Sequence, residues 1–368
     1  MKKLLAILFG LSTIAAAAAP DMPRFRWENF TTENSGLPDN HVFNVKVDGE
    51  RVWAGTEQGL AVYERGKWKV YGTQDGLAHR AVLFIDVDPA TGDVWAATMG
   101  GLSRLSAGRF VNYTQLNSGL PNDVVYGVAV QGDFVWVATA AGAGRFNTRT
   151  SQWSLYNERN TPMYEIWTYA VSPGPDKVYL AVWGGGLLEY DVRTERWKDY
   201  NDPDGETEMV VLRDQGLIHE ITTSVSYPGN GVVWVATYFG ASRYDGRNWK
   251  GFLTYDSGLP SNFLNQVKAV DNDRAWFSTD KGLAYYDGAN WAVYRPALDT
   301  RKPEMIVRDA AGNSTRIDVD TAPAHNYIFG VDFQGDDIWV ATAHGLSHGI
   351  RTKNEPRRLA QAPRSARH

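Results

Sequence analysis

The sequence predicts an all-β protein: a seven-bladed β-propeller of four-stranded blades, with the ring closed by the N-terminal strand joining the last blade. Three observations predict it. A Trp-centred strand motif recurs seven times, a second aromatic motif recurs seven times out of phase with the first, and helix signals are almost absent.

The first motif runs from Val52-Trp53-Ala54-Gly55-Thr56 to Ile338-Trp339-Val340-Ala341-Thr342. Its aromatic positions are Trp53, Trp95, Trp136, Tyr179, Trp234, Trp276 and Trp339, spaced by 42, 41, 43, 55, 42 and 63 residues. Each copy leads into a Gly-containing turn and a short apolar strand such as Gly59-Leu60-Ala61-Val62-Tyr63. The second motif, aromatic-x-x-aromatic, begins with Trp27 and Phe30 and ends with Trp291 and Tyr294. Its first copy precedes the first Trp motif, and the last Trp motif has no copy after it. An open stack of blades would leave an unpaired strand at each end, a liability that closed β architectures remove. The phase therefore predicts that strand Arg26–Phe30 completes the last blade by pairing with Leu346–Ile350.

Within a blade the order is an inner strand such as Val42–Val47, then Trp53–Thr56, Leu60–Tyr63 and Trp68–Tyr71. Apolar and polar residues alternate only weakly on the inner strands, as expected where both faces pack against neighbouring blades.

Residues 1–19 read as a secretory signal peptide: Lys2 and Lys3 precede an apolar run from Leu4 to Ile14 and a string of alanines. That run is too short for a permanent span, and the mature protein is expected to be exported to the periplasm or beyond. The propeller is assigned to residues 22–350, and residues 351–368 to a basic, disordered tail. The chain has no cysteine, which excludes a disulfide framework and any thiol metal site. Its formal net charge is −5. Setting aside Lys2, Lys3 and the tail, whose six cations and one glutamate sum to +5, leaves the body at −12. An acidic body is a poor nucleic-acid binder, because that affinity comes from Lys and Arg on phosphates.

Runs such as Ser35-Gly36-Leu37-Pro38-Asp39-Asn40, repeated at Ser118–Asp123 and Ser257–Asn262, together with the Trp-x-x-Thr-x-x-Gly-Leu segments, resemble two-component regulator propeller repeats. The resemblance covers nearly the whole mature chain. It implies a sensor-like or stand-alone exported propeller; the kinase, receiver domain and membrane span of the sensor kinases have no counterpart in the sequence. More loosely, the pattern is similar to streptogramin (virginiamycin B) lyase propellers, which implies an enzyme alternative.

The loops after the outer strands and the turns after the Trp-x-x-Thr strands emerge on one face, the expected functional surface. Twelve of the 14 tryptophans fill repeat positions. Of the other two, Trp183 opens a Gly-Gly-Gly turn on that face and suits ligand stacking or packing, whereas Trp167 reads as core filling on the fourth inner strand. Tyr238 and Phe239 occupy the equivalent turn of the fifth blade, and neighbouring aromatics suit sugar rings or extended peptide. His79, His219 and His325 share one repeat position in the loops leading into blades two, five and seven, with His41 and His344 nearby. A cluster of them would bind a transition metal or act as acid and base; otherwise they are loop residues hydrogen-bonded locally. Asp39, Glu57, Tyr164 and Glu165 would add carboxylate or hydroxyl groups. Asp202-Pro203-Asp204-Gly205-Glu206 lacks the spacing of a calcium loop and reads as an ordinary turn.

Two spacings exceed the repeat, and both add chain to the functional face. Residues 201–215 are one; residues 295–321 are the other, read as a projecting β-hairpin whose apolar Met305 and Ile306 favour docking. The expectation is an exported, non-catalytic, monomeric ring that needs no cofactor and binds an envelope or extracellular protein, or a saccharide. The site residues are Trp183, Tyr238, Phe239, Tyr164, His79, His219, His325 and His344. The alternative is a metal-assisted lyase or hydrolase using His79, His219 or His325.

Overall fold

A computed structural model describes residues 20–205, 212–229, 231–296 and 302–352. Residues 1–19, expected to be a signal peptide, and residues 353–368 of the basic tail lie outside the described residues, as does part of the 201–215 loop.

Seven antiparallel sheets stand around a central channel. Blade one shows the unit: Val42–Asp48, Arg51–Thr56, Gly59–Glu64 and Lys67–Tyr71, paired in sequence order from the channel outwards. The ring closes as the motif phase requires. Strand Arg24–Phe30 pairs antiparallel with Gly345–Thr352, in a register that sets Trp27 opposite Gly349 and Phe30 opposite Leu346. A Cβ at Gly349 would lie 2.8 Å from the Trp27 ring, so glycine there leaves room for the indole against the partner strand.

The two motifs meet between blades. Trp95, Trp136 and Trp234 are fully buried, and each carries an aromatic from its own outer strand: Trp136 stacks on Tyr156 with ring centroids 5.5 Å apart. In the Ser-Gly-Leu-Pro loops the leucines Leu37, Leu120 and Leu259 are buried, and a Cβ at Gly258 would collide with Trp291 at 2.2 Å. The loop and the outer-strand tryptophan of the following blade are thus one packing unit. Side chains on the inner strands also stitch blade to blade. Asn44 Oδ1 accepts the Ile85 N–H at 3.1 Å, Asp86 Oδ2 that of Val130 at 2.8 Å, and Asp332 Oδ2 that of Val47 at 2.9 Å.

The 295–321 insertion forms the expected hairpin, with strands Pro303–Arg308 and Ser314–Asp318, but it does not project from the face. Its first strand pairs with the outer strand Trp291–Pro296, opposing Tyr294 to Met305, and widens blade six to six strands. Met305 is buried, packed with Trp27, Trp276 and Tyr294. Its apolar character serves the core between blades six and seven rather than a docking surface.

Candidate functional site

In every blade the inner strand carries one β-bulge. The register slips between Val42 and Asn44 in blade one, and at the equivalent point in the other six. A bulge leaves one residue outside the ladder and re-aims its side chain. The seven residues so released are Phe43, Leu83, Tyr126, Tyr169, Thr223, Asn265 and Phe329, one per blade, and all seven line a single cavity of about 590 Å³ at the channel mouth. Its walls are aromatic or aliphatic from blade seven round to blade four. Across the channel, Thr223 and Asn265 bond to the next blade, Thr223 Oγ1 to the Leu264 carbonyl and Asn265 Nδ2 to that of Ile328, each at 2.7 Å.

Beneath this tier the channel narrows to a smaller space lined by charges that neutralise one another. Lys46 Nζ lies 2.7 Å from Asp86 and Lys268 Nζ 3.0 Å from Asp332. Burial opposes the charge of Asp332, but Lys268 and Lys46 outweigh it and hold the carboxyl below its usual range.

From the cavity wall to its rim a series of rings runs around the mouth. Tyr126 stacks on Tyr169 at 4.5 Å and 6°, and Tyr169 on Trp183 at 5.0 Å. Trp183 meets Tyr238 at 6.0 Å, Tyr238 meets Phe263 at 5.0 Å, and Phe263 meets Tyr327 at 6.4 Å. Tyr327 continues to Phe329 at 4.8 Å, Phe329 to His41 at 4.8 Å, and His41 to Phe43 at 4.5 Å. The series breaks at blade two, where Arg80 and Met99 take the rim. Burial raises the phenol pKa of both Tyr126 and Tyr169.

The residues singled out from sequence fall into three groups. Trp183 and Tyr238 belong to the ring series, and His79 lines the cavity. Tyr164 and Phe239 stand apart from it: the Tyr164 hydroxyl donates to Glu220 at 2.9 Å, and Phe239 packs on His219 at 6.2 Å. The histidines do share a repeat position, but its role is to cap a turn. His79, His219 and His325 each accept, through Nδ1, the backbone N–H two residues on, at 3.0 Å. Asp39 and Asn122 do the same with a carboxylate and an amide, at 2.7 and 2.8 Å. The three caps sit in different blades, and among the described residues no three His, Cys, Asp or Glu side chains converge as a metal site. His325 faces His344, and its pKa is lowered by burial and by that neighbour. Trp167 is half exposed, not core filling. The inner strand begins at Thr168, so Trp167 stands one residue before the buried position.

No family model matches the chain, and no curated protein does. Solved structures do. The extracellular domain of a hybrid two-component system from B. thetaiotaomicron superposes with a TM-score of 0.67 at 16% identity, over 88% of this chain and 42% of its own. Virginiamycin B lyase from Staphylococcus aureus gives 0.63 at 13%, over 90% of this chain and 100% of the enzyme. PorZ, a surface component of the type-IX secretion system of Porphyromonas gingivalis, gives 0.52 at 13%, over 89% and 39%. The likeness is one of fold. Both kinds of propeller that the sequence resembles are represented among these structures, and the chain spans about two fifths of the length of that extracellular domain. Among the described residues no helix is long and apolar enough to cross a membrane.

Phe43, Tyr126, Tyr169 and Phe329 were missed in the sequence. The signal that finds them is positional: each follows by one residue the buried residue that opens its inner strand, at a repeat position held by an aromatic in four blades, by Leu83 in one and by the polar Thr223 and Asn265 in two.

Proposed function

We propose that the mature chain is an exported, non-catalytic binding module that takes a small ligand at the channel mouth. One observation carries the reading: seven bulge residues, one from each blade, converge on one cavity that narrows beneath to a charge-balanced waist. Bulges cost ladder hydrogen bonds, and repeating the loss seven times around one space points to use of that space. Export rests on residues 1–19, and the fold shared with the extracellular domain of a two-component system supports it. A metal-assisted lyase would need histidines that converge. Here each of the three spends Nδ1 on its own turn.

The test is titration with a neutral apolar fluorophore, N-phenyl-1-naphthylamine. One saturable site per chain is expected, weakened about tenfold by Tyr169→Ala, which removes the ring shared by Tyr126 and Trp183. Binding that is absent, or indifferent to Tyr169, overturns the reading.

A further inference from the structure

The polar groups around the cavity are unequal in kind. Arg80 lines the rim and makes no ion pair or hydrogen bond among the described residues. His79 accepts through Nδ1, so in its neutral form the ring carries its proton on Nε2 and remains a donor. At the floor, Asn44 and Gln266 give their side-chain oxygens to the N–H groups of Ile85 and Val331, at 3.1 and 2.7 Å. Their NH₂ groups have no acceptor among the described residues, although Asn44 is 3% and Gln266 8% exposed. Four donors are therefore unspent. Facing the same space are the acceptors Thr223 Oγ1, Ser224 Oγ, Asn265 Oδ1 and Glu57, whose carboxylate lies 3.6 Å from His41 Nδ1, so what distinguishes the lining is Arg80, its only lysine or arginine among the described residues. None of these four donors is sealed away from the cavity, so a ligand that brings acceptors can meet them.

Resting on the binding reading above, we infer that the cavity selects a hydrophobic carboxylate, its apolar body against the bulge residues and its carboxylate on Arg80. Neutral saccharides bring no charge to meet Arg80 and little apolar surface to cover the aromatic and aliphatic walls. An apolar acid offers only acceptors, and its body matches Phe43, Leu83, Tyr126 and Tyr169.

Calorimetric titration of the folded mature chain with 2-naphthylacetate and its neutral twin, 2-naphthylacetamide, tests this. The acid is expected to bind at least tenfold more tightly than the amide, and Arg80→Gln is expected to abolish that difference while leaving the amide unchanged. Arg80 is exposed, so the variant keeps its fold, and an unaltered thermal midpoint verifies it. If acid and amide bind alike and Arg80→Gln changes neither, the inference falls and the cavity reading stands. If neither binds at millimolar concentration, both fall.

Discussion

The Thr222 hydroxyl lies 2.8 Å from the Gly186 carbonyl oxygen and 2.9 Å from that of Val182, across the junction of blades four and five. In the other six blades the equivalent carbonyl is met by the threonine of the Trp-x-x-Thr strand, as Thr56 Oγ1 meets Gly59 at 2.9 Å. Blade four has Val182 at that position, and the missing hydroxyl arrives from the next inner strand. Thr222→Val strands a buried carbonyl and is expected to cost about 1–3 kcal/mol. Adding Val182→Thr restores the donor from its usual place and should recover most of the loss. Urea unfolding of both single variants and the double variant measures the coupling; strictly additive effects would show that the two positions do not share the role.

The histidine caps make a second prediction. If His79 serves its turn through Nδ1, then His79→Asn, which copies Asn122, is expected to stay within about 0.5 kcal/mol of the parent, whereas His79→Ala is expected to lose about 1 kcal/mol with the acceptor. Thermal unfolding distinguishes them. A cap role is contradicted if asparagine and alanine destabilise equally.

The ring was readable because its determinants repeat. Twelve tryptophans in two registers, with Tyr179 and Phe110 in the remaining places, fixed blade number and closure, and the N-terminal strand pairs with Gly345–Thr352 as their phase required. The hairpin strands were readable from the alternation around Ala310–Asn313, but their destination was not. Whether Met305 faces solvent or Tyr294 depends on which neighbour offers a free edge, a property of the assembled blade. The cavity was hidden for a related reason. A bulge is a slip between two strands, and Phe43 differs from any strand aromatic only in having no partner opposite it. The histidines show the converse, a real periodicity whose cause was backbone satisfaction.

Asp202 carries a pH dependence. Burial, and then its neighbour Asp204, push its carboxyl up to about 7, and Oδ2 has no hydrogen-bond partner among the described residues. A folded-state value above the unfolded one means that the stability tied to this group is full below about pH 3.8 and is lost progressively as pH rises through about 7. Asp202→Asn removes the ionisation and keeps the oxygen that accepts the Asp204 N–H at 3.1 Å. The variant is expected to match the parent near about pH 4 and to exceed it by roughly 1–3 kcal/mol at about pH 8. Denaturant unfolding across that range measures the difference, and a constant offset at every pH would remove Asp202 as its source.

The hairpin of blade six is predicted to act through stability rather than through partner contact. Met305 is 1% exposed and packs in the cluster that also holds Trp27 of the closing strand, Trp276, Tyr294 and Ile328. Glu304 beside it is buried and meets both Arg295 at 2.8 Å and Arg316 at 2.9 Å, which ties the added strands to the outer strand of the blade. Truncating Met305 to alanine opens a void where blade six meets the ring closure, with an expected cost of about 2–5 kcal/mol. Because Trp27 lines the same cluster, Trp27→Ala should be less than additive with Met305→Ala, since the second truncation removes contacts the first has already loosened. Denaturant unfolding of the two single variants and the double variant gives the coupling. A docking arm would behave otherwise: Met305→Ala would leave the unfolding midpoint where it was, and that result would return the hairpin to the surface role its sequence first implied.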